Sequence, residues 1–188
     1  MDDEHRQGIR DAYADLGVAA YYEAYGASYR NPHEEIVRAL VGQWLDLRGR
    51  PPSSALDLAC GSGEVTLALL ERGVPREHLV AADPYTRDAY AERTGRAALP
   101  YTFEDIARGA LCARTVDVVV CSFALHLADK SWLPTITWRL AELAPELVVI
   151  TPNKRPELDP RWGFALEREW IRARIRCRVY SRVDERSG

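Results

Sequence analysis

The feature that most constrains this 188-residue chain is a short apolar run that ends in a glycine turn. Residues 55–66 read Ala-Leu-Asp-Leu-Ala-Cys-Gly-Ser-Gly-Glu-Val-Thr. The apolar part is typical of a buried strand, and residues 64–72 can form a helix directly after the turn. A strand that feeds a helix through a glycine turn forms the ligand-binding corner of a doubly wound sheet. Gly61 and Gly63 allow a tight turn and let a ligand approach the backbone without meeting a Cβ atom.

Two acidic residues indicate which kind of ligand this corner binds. Asp57 stands four residues before Gly61, near where a pyrophosphate would lie, and like charges would repel there. Thr66 occupies the position at which a dinucleotide fingerprint has its third glycine. Both features argue against a dinucleotide, and the acidic Asp57 suits a ligand with a positively charged amino or sulfonium group. Asp83 ends the next apolar run, twenty residues after Gly63, where a carboxylate can accept hydrogen bonds from ribose hydroxyls.

The segment Asp57-Leu-Ala-Cys-Gly-Ser-Gly-Glu64, followed by Asp83, resembles motifs I and II of the class I S-adenosylmethionine-dependent methyltransferases. The resemblance runs from about residue 55 to the C-terminus and implies S-adenosylmethionine as the cofactor. It implies that the two glycines face the methionine part of the cofactor and that Asp83 holds the ribose. The cofactor-binding residues predicted in this way are Asp57, Ala59, Gly61, Ser62, Gly63, Asp83, Pro84, Asp105, Ile106 and Ser122.

For Asp105 two roles stay open. By the resemblance it binds the adenine amino group, while Ile106 offers a backbone N–H to the adenine ring. Alternatively, Asp105 only caps a helix that begins at Ile106.

Strand and helix signals alternate from residue 55 onward, which is typical of a parallel sheet. We predict strands at 55–59, 78–82, 101–104, 116–121 and 146–151, with helices at 64–72, 85–94 and 131–143. Residues 162–170 and 174–183 then form a hairpin, and Pro156 and Pro160 leave little helix before it. The prediction is an α/β fold with a doubly wound, mostly parallel, seven-stranded sheet. This is the Rossmann-like methyltransferase fold with an antiparallel C-terminal hairpin and N-terminal helices.

Residues 1–50 are expected to form a helical extension of the cofactor-binding domain, which covers residues 51–188 in the same structural unit. A short helix is expected at residues 6–16. A second helix starts with Asn31 as N-cap, Pro32 after it and Glu34 completing a capping box. Asn31 and His33 are therefore assigned structural roles. The core-facing stripe of this helix comprises Ile36, Leu40, Val41, Trp44 and Leu45.

Candidate substrate contacts come from two places in the chain. Tyr21, Tyr22, Tyr25 and Tyr29 lie where the resembled class commonly covers its pocket, although they could equally pack the N-terminal helices. Ser122, Phe123 and His126 follow the fourth predicted strand, at the sheet edge where ligands bind. His126 is the candidate general base for a hydroxyl acceptor, or else it only packs on the cofactor.

The sequence after the fourth predicted strand also bears on the acceptor. Residues 122–125 read Ser-Phe-Ala-Leu, unlike the Asn/Asp-Pro-Pro-Tyr/Phe of enzymes that methylate exocyclic amines of nucleic-acid bases. The Ala-Leu-His at 124–126 resembles small-molecule members of the class. We therefore expect methyl transfer to a small molecule.

Arginine-rich sequence near the C-terminus leaves two alternatives open. Residues 161–188 carry a local charge of +4 although the whole chain carries −3. Period-two spacing places Arg172, Arg174, Arg176, Arg178 and Arg182 on one strand face, either exposed for RNA or an acidic protein or paired with Glu167 and Glu169. The first alternative is an RNA, protein or peptide methyltransferase. The second is a non-catalytic cofactor-binding subunit that activates a partner.

Composition sets the remaining expectations. No apolar run approaches the roughly 20 residues that span a bilayer, and the polar start of the chain is unlike a signal peptide. The four cysteines form no C-x-x-C pair, so we expect buried free thiols and no metal site. These features favour a cytoplasmic protein.

Overall fold

The computed structural model describes Gly26 and residues 29–183, which form a six-stranded sheet flanked by helices. The strands are β1 (Ala55–Leu58), β2 (Leu79–Ala82), β3 (Val118–Ser122), β4 (Glu146–Thr151), β5 (Phe164–Arg172) and β6 (Ile175–Arg182). The helices are α1 (Glu34–Arg48), α2 (Glu64–Glu71), α3 (Arg87–Thr94), α4 (Phe103–Ala107) and α5 (Leu133–Leu143). One-turn 3₁₀ helices lie at Arg76–His78, Leu125–Leu127 and Pro160–Trp162.

The strand order is β2-β1-β3-β4-β6-β5. The first four strands are parallel, and β6 runs antiparallel between β4 and β5. The order reverses between β1 and β3, so the loops after β1, β2 and β3 meet at one edge of the sheet. The doubly wound α/β fold and the C-terminal hairpin are therefore confirmed.

Alternating side chains of the strands build two cores, one on each face of the sheet. On one face, Leu56, Val119 and Leu147 pack with α4 and α5. On the other face, Val118 and Val148 pack with α1 and α2. Because both faces are covered, β3 and β4 are apolar along nearly their whole length, as their β-branched sequence predicts.

The strand predicted at residues 101–104 is not formed, so the sheet has six strands and not the predicted seven. Thr102 is instead the N-cap of α4, and its hydroxyl accepts a hydrogen bond from the Asp105 backbone N–H at 3.1 Å. The Asp105 carboxylate accepts one from the Thr102 backbone N–H at 3.0 Å. This reciprocal capping box holds the segment as a helix. The isolated parallel bridge between Ala82 and Leu99 lies two residues before the predicted strand.

The start of α1 also differs from the prediction. The N-cap is His33, and Asn31 accepts a hydrogen bond from the His33 backbone N–H at 2.9 Å in the preceding turn. Glu34 forms an ion pair with Arg93 instead of completing a capping box. The helix ends at Arg48 with Gly49 as its C-cap, and its buried face includes Leu40, Val41, Trp44 and Leu45, as predicted.

The hairpin has the predicted reduced connection, since only the 3₁₀ turn Pro160–Trp162 precedes β5. Ala173 and Arg174 both have positive φ, 47° and 67°, as a two-residue type I′ turn requires. A bulge between Leu166 and Arg168 shifts the pairing of β5 with β6.

The expectation of an exposed arginine face is wrong for Arg178, which is only 3% exposed. Its guanidinium pairs with Glu169 at 2.5 Å and donates to the backbone oxygens of Pro156 at 2.8 Å and Lys154 at 2.9 Å. Arg176 pairs with the same carboxylate at 2.9 Å, so the predicted ladder to Glu169 is confirmed. The ladder to Glu167 is not formed, because the bulge takes that residue out of register. Arg172 and Arg174 remain exposed.

Cys60, Cys121 and Cys177 are buried free thiols, as expected, whereas Cys112 is exposed. In the described part of the chain, no helix combines the length and the apolar character that crossing a membrane requires.

Replacement of Arg178 tests the buried pairing in the hairpin. Arg178→Met removes the cation but keeps an aliphatic stem. It leaves Glu169 with Arg176 as its remaining donor and takes the donor from the carbonyl groups of Pro156 and Lys154. We expect the free energy of unfolding in urea to fall by about 3 kcal/mol or more. The control Arg172→Met changes an exposed arginine of the same hairpin and should alter stability by less than about 0.5 kcal/mol. Equal stabilities of the two variants would contradict the assignment.

Candidate functional site

The glycine turn after β1 forms the floor of a cavity at the edge where the ends of β1, β2 and β3 meet. Gly61 and Gly63 have φ of +55° and +93°, a region that favours glycine. A Cβ atom on Gly63 would lie 2.6 Å from the methyl carbon of Thr94. A Cβ on Gly61 would lie 3.0 Å from the ring of Tyr29. The two glycines therefore let α3 and the Tyr29 ring approach the turn from two sides.

Asp57 is buried at the base of this turn. One of its carboxylate oxygens accepts hydrogen bonds from the Thr66 hydroxyl at 2.7 Å and the Thr66 backbone N–H at 3.0 Å. Burial raises the pKa of Asp57 to about 8, against the lowering effect of the Thr66 hydroxyl. Thr66, which stands where a dinucleotide fingerprint has its third glycine, therefore holds the Asp57 carboxylate in place.

Asp83 ties the loops after β1 and β2 together. Its carboxylate accepts hydrogen bonds from the backbone N–H groups of Gly61 at 3.2 Å, Tyr85 at 2.8 Å and Thr86 at 2.9 Å. The Thr86 hydroxyl donates back to the Gly61 carbonyl at 2.9 Å. The carboxylate lines the cavity and is held in place by the backbone.

Glu64, the first residue of α2, also lines the cavity. One of its oxygens accepts hydrogen bonds from the Ser62 hydroxyl and from the Asn31 backbone N–H, the latter at 3.3 Å. Arg93 forms an ion pair with the same oxygen at 3.2 Å. Glu64 thus joins the glycine turn to the chain that precedes α1.

Aromatic rings close the side of the cavity nearest β3. Phe123 follows β3 with φ of +57°, a strained value for a bulky residue, and its N–H donates to the Ile150 carbonyl at 2.7 Å. The ring of His33 stacks on Phe123 with centroids 5.2 Å apart. Tyr29 and Phe123 both line the cavity, as predicted for a substrate wall.

The cavity has a volume of about 210 Å³ and brings together most of the predicted site. The predicted residues that line it are Tyr29, Asp57, Ala59, Gly61, Asp83, Pro84, Ile106, Ser122 and Phe123. Ser62, Gly63, Asp105 and His126 do not line it. Tyr21, Tyr22 and Tyr25 lie outside the described residues.

The carboxylate of Asp105 is engaged in the capping box with Thr102, and those hydrogen bonds hold its pKa below the usual range. The cap belongs to a helix that begins at Phe103, two residues before Asp105. Its neighbours Glu104 and Ile106 line the cavity. The adenine contact assigned to Asp105 stays a prediction. Glu104 is the acidic residue of α4 that lines the cavity.

His126 lies on the one-turn helix Leu125–Leu127, next to the cavity-lining Leu127. Burial lowers the pKa of His126, which favours the neutral form that a general base needs. Its Nδ1 atom is buried without a hydrogen-bond partner among the described residues. The role of general base stays a prediction.

The structure adds lining residues that the sequence did not assign. They are Asn31, Leu58, Cys60, Glu64, Val65, Tyr85, Thr86, Tyr101, Thr102, Phe103, Glu104, Ala124, Leu127 and Ala128. Tyr85 and Thr86 could have been found from their position directly after Asp83. Residues 101–103 were missed because they were predicted as a strand.

The lining fits S-adenosylmethionine in its charge and in one unused polar group. Asp57, Glu64, Asp83 and Glu104 line the cavity, and its described lining contains no lysine, arginine or histidine. This charge favours a cationic sulfonium and ammonium group and opposes a pyrophosphate. The Ser122 hydroxyl is buried without a protein partner among the described residues, so a ligand can supply its hydrogen bond.

The raised pKa of Asp57 predicts a pH dependence of stability. The folded protein keeps the proton up to about pH 8, whereas an unfolded aspartate loses it near 3.8. Unfolding therefore releases a proton between these values, and the free energy of unfolding should fall with rising pH by up to about 1.4 kcal/mol per unit. Urea titrations from pH 4 to 9 give the free energy of unfolding of wild type and of Asp57→Asn at each pH. The difference between the two isolates the contribution of Asp57, because the other titrating groups contribute equally to both proteins. A difference that stays constant with pH would show that Asp57 titrates normally.

Comparison with known proteins agrees with this geometry. A methyltransferase domain family model matches residues 56–135. An uncharacterized protein of Schizosaccharomyces pombe is 36% identical over 196 aligned residues, which cover 83% of this chain and 79% of that protein.

Solved structures share the fold at low sequence identity. Magnesium protoporphyrin IX methyltransferase from Synechocystis PCC 6803, solved with bound SAM, is 20% identical with a TM-score of 0.59 over 97% of this chain and 98% of its own. An O-methyltransferase family protein from Burkholderia thailandensis is 19% identical with a TM-score of 0.63 over 95% of this chain and 63% of its own. The glycine turn, the carboxylates at the strand ends, the sheet order and these matches together show that the chain belongs to the class I S-adenosylmethionine-dependent methyltransferases.

Proposed function

We propose that this methyltransferase transfers the methyl group of S-adenosylmethionine to a small-molecule acceptor. The observation that carries the proposal is the apolar lining after β3, which Phe123, Ala124 and Leu127 form. The chain before α1 packs against this part of the cavity through the stacking of His33 on Phe123. Such a partly covered apolar site suits a small acceptor better than a segment of a folded macromolecule.

The cofactor supplies an electrophilic methyl group on a sulfonium, so the protein has to bind, align and exclude water. Asp83 would accept hydrogen bonds from the ribose, because its position is fixed by three backbone N–H groups. Glu64 places a carboxylate at the glycine turn near the cationic end, whereas Asp57 keeps its proton up to about pH 8 and adds no charge there at neutral pH. Tyr29 and Phe123 would orient the acceptor, and orientation alone can contribute roughly 7–11 kcal/mol to lowering the barrier.

The alternative of an RNA or protein acceptor is weakened by the contacts of the C-terminal arginines. Arg176 and Arg178 are committed to Glu169 and to backbone carbonyls, so they cannot also neutralise phosphates without breaking those contacts. Arg172 and Arg174 remain available at the hairpin tip. Arg182 is exposed as well, and these three arginines give only a weak electrostatic surface in a chain of net charge −3.

The alternative of a non-catalytic partner subunit rests on β5. This edge strand exposes Leu166 by 51% and Ile171 by 54% where a covering helix is reduced to one turn. Such an edge strand can pair with another chain. A partner bound there would suit a catalytic subunit as well as a non-catalytic one.

Labelling of separated cell fractions tests the acceptor class. The protein is incubated with S-adenosylmethionine carrying a radiolabelled methyl group and with small-molecule, RNA and protein fractions in parallel. We expect label in the small-molecule fraction alone, because the apolar wall admits small acceptors. Asp83→Ala serves as the loss control, since it removes the carboxylate that the ribose needs.

Label that enters RNA or protein and depends on Asp83 would contradict the small-molecule proposal. Cofactor binding by calorimetry without label in any fraction would favour the non-catalytic subunit.

A further inference from the structure

The further inference concerns Arg93, a residue of α3 that does not line the cavity. Its guanidinium lies between two carboxylates from different helices. One ion pair is with Glu64 of α2 at 3.2 Å, and the other is with Glu34 of α1. The Arg93 side chain is 20% exposed and that of Glu64 only 5%, so water screens this cluster weakly.

Glu64 is also the point at which the chain before α1 is fastened. We call residues 29–33 the strap. The Asn31 backbone N–H in the middle of the strap donates to the same Glu64 oxygen that Arg93 contacts. Arg93 therefore holds the acceptor atom of this hydrogen bond in place, and through Glu34 it holds the first turn of the helix that follows the strap.

Both ends of the strap contact the cavity. Tyr29 packs its ring against Gly61 and lines the cavity. His33 stacks on Phe123, which forms part of the proposed acceptor wall. A displacement of the strap would therefore change the cofactor side and the acceptor side together.

We propose that Arg93 is a positioning residue that keeps the strap closed over the cavity. It does so by neutralising Glu34 and Glu64, two acids that would otherwise repel each other. Without Arg93, the nearly buried Glu64 would lose its counter-ion. The Glu64 carboxylate would then turn toward water, and this movement weakens its hydrogen bond to Asn31. Arginine suits this place because its planar fork donates to two carboxylates at once, which a lysine ammonium does with poorer geometry.

The proposal is tested first without cofactor, by limited trypsin digestion. Arg30 is an exposed cleavage site within the strap, and Arg174 at the hairpin turn is an exposed internal reference far along the chain. In Arg93→Ala we expect cleavage after Arg30 to accelerate roughly tenfold or more relative to Arg174, because local opening of the strap becomes cheaper. Arg93→Lys should give an intermediate rate. In Arg93→Ala combined with Glu34→Gln, part of the protection should return, because one of the two repelling charges is gone.

The second measurement is the Kd for S-adenosylmethionine by calorimetry, which needs no acceptor. This measurement rests on the proposed function, because it needs S-adenosylmethionine to bind, whereas the digestion needs no cofactor. A failure of the proposed function can therefore be distinguished from a failure of the role proposed for Arg93. We expect a rise of about tenfold in Arg93→Ala, since an open strap leaves the cofactor cavity less complete. The matched control is Arg87→Ala, an exposed arginine of the same helix for which the described structure gives no ion pair.

Unchanged cleavage after Arg30 in Arg93→Ala would overturn the proposal. Equal acceleration at Arg30 and Arg174 would overturn it as well, since it would indicate general loss of stability. The same effects in Arg87→Ala, or an unchanged Kd together with an open strap, would also show that Arg93 does not position the site.

Discussion

The site depends on the backbone hydrogen bonds that Asp83 accepts at the end of β2. Three N–H groups, from Gly61, Tyr85 and Thr86, converge on this one carboxylate. They fix the loops after β1 and β2 relative to each other, and the glycine turn keeps its left-handed geometry between them. The same hydrogen bonds orient the carboxylate at the cavity surface. Asp83 thus stabilises the two loops and also presents its carboxylate to the cavity.

Around this anchor the cavity is assembled from segments far apart in the chain. Residues 29–33 cover it from the N-terminal side, α4 borders it near Ile106, and the segment after β3 closes it with Phe123. Two acids of the glycine turn have different environments: Asp57 is sealed below it with a raised pKa, and Glu64 is paired with Arg93. At neutral pH the negative charge beside the turn is therefore that of Glu64, which it shares with its counter-ion Arg93, and Asp57 is uncharged.

Much of this arrangement was predictable from local sequence. The strands β3 and β4 are apolar along nearly their whole length, and β1 is apolar apart from Asp57. Asp57, Gly61 and Asp83 occupy spacings whose chemistry points to one cofactor class. The capping box of α4 was missed because Thr102 and Asp105 compete with β-forming neighbours, Tyr101 and Phe103. The burial of Arg178 could not be predicted from period-two spacing. Its guanidinium donates to the backbone carbonyl groups of Lys154 and Pro156, which lie in the irregular connection between β4 and β5. Arg93 gave no signal at all, because its role comes from two acids 59 and 29 residues away.

The central claim is that the carboxylates at the ends of β1 and β2 and the glycine turn bind S-adenosylmethionine in this cavity. A crystal structure of the protein with S-adenosylhomocysteine, the product form of the cofactor, tests it most directly. The account predicts the ribose hydroxyls at Asp83, the adenine beside Ile106 and the amino-acid end at the glycine turn above Asp57. Electron density for the ligand at another place, or no density in this cavity at saturating ligand, would contradict it.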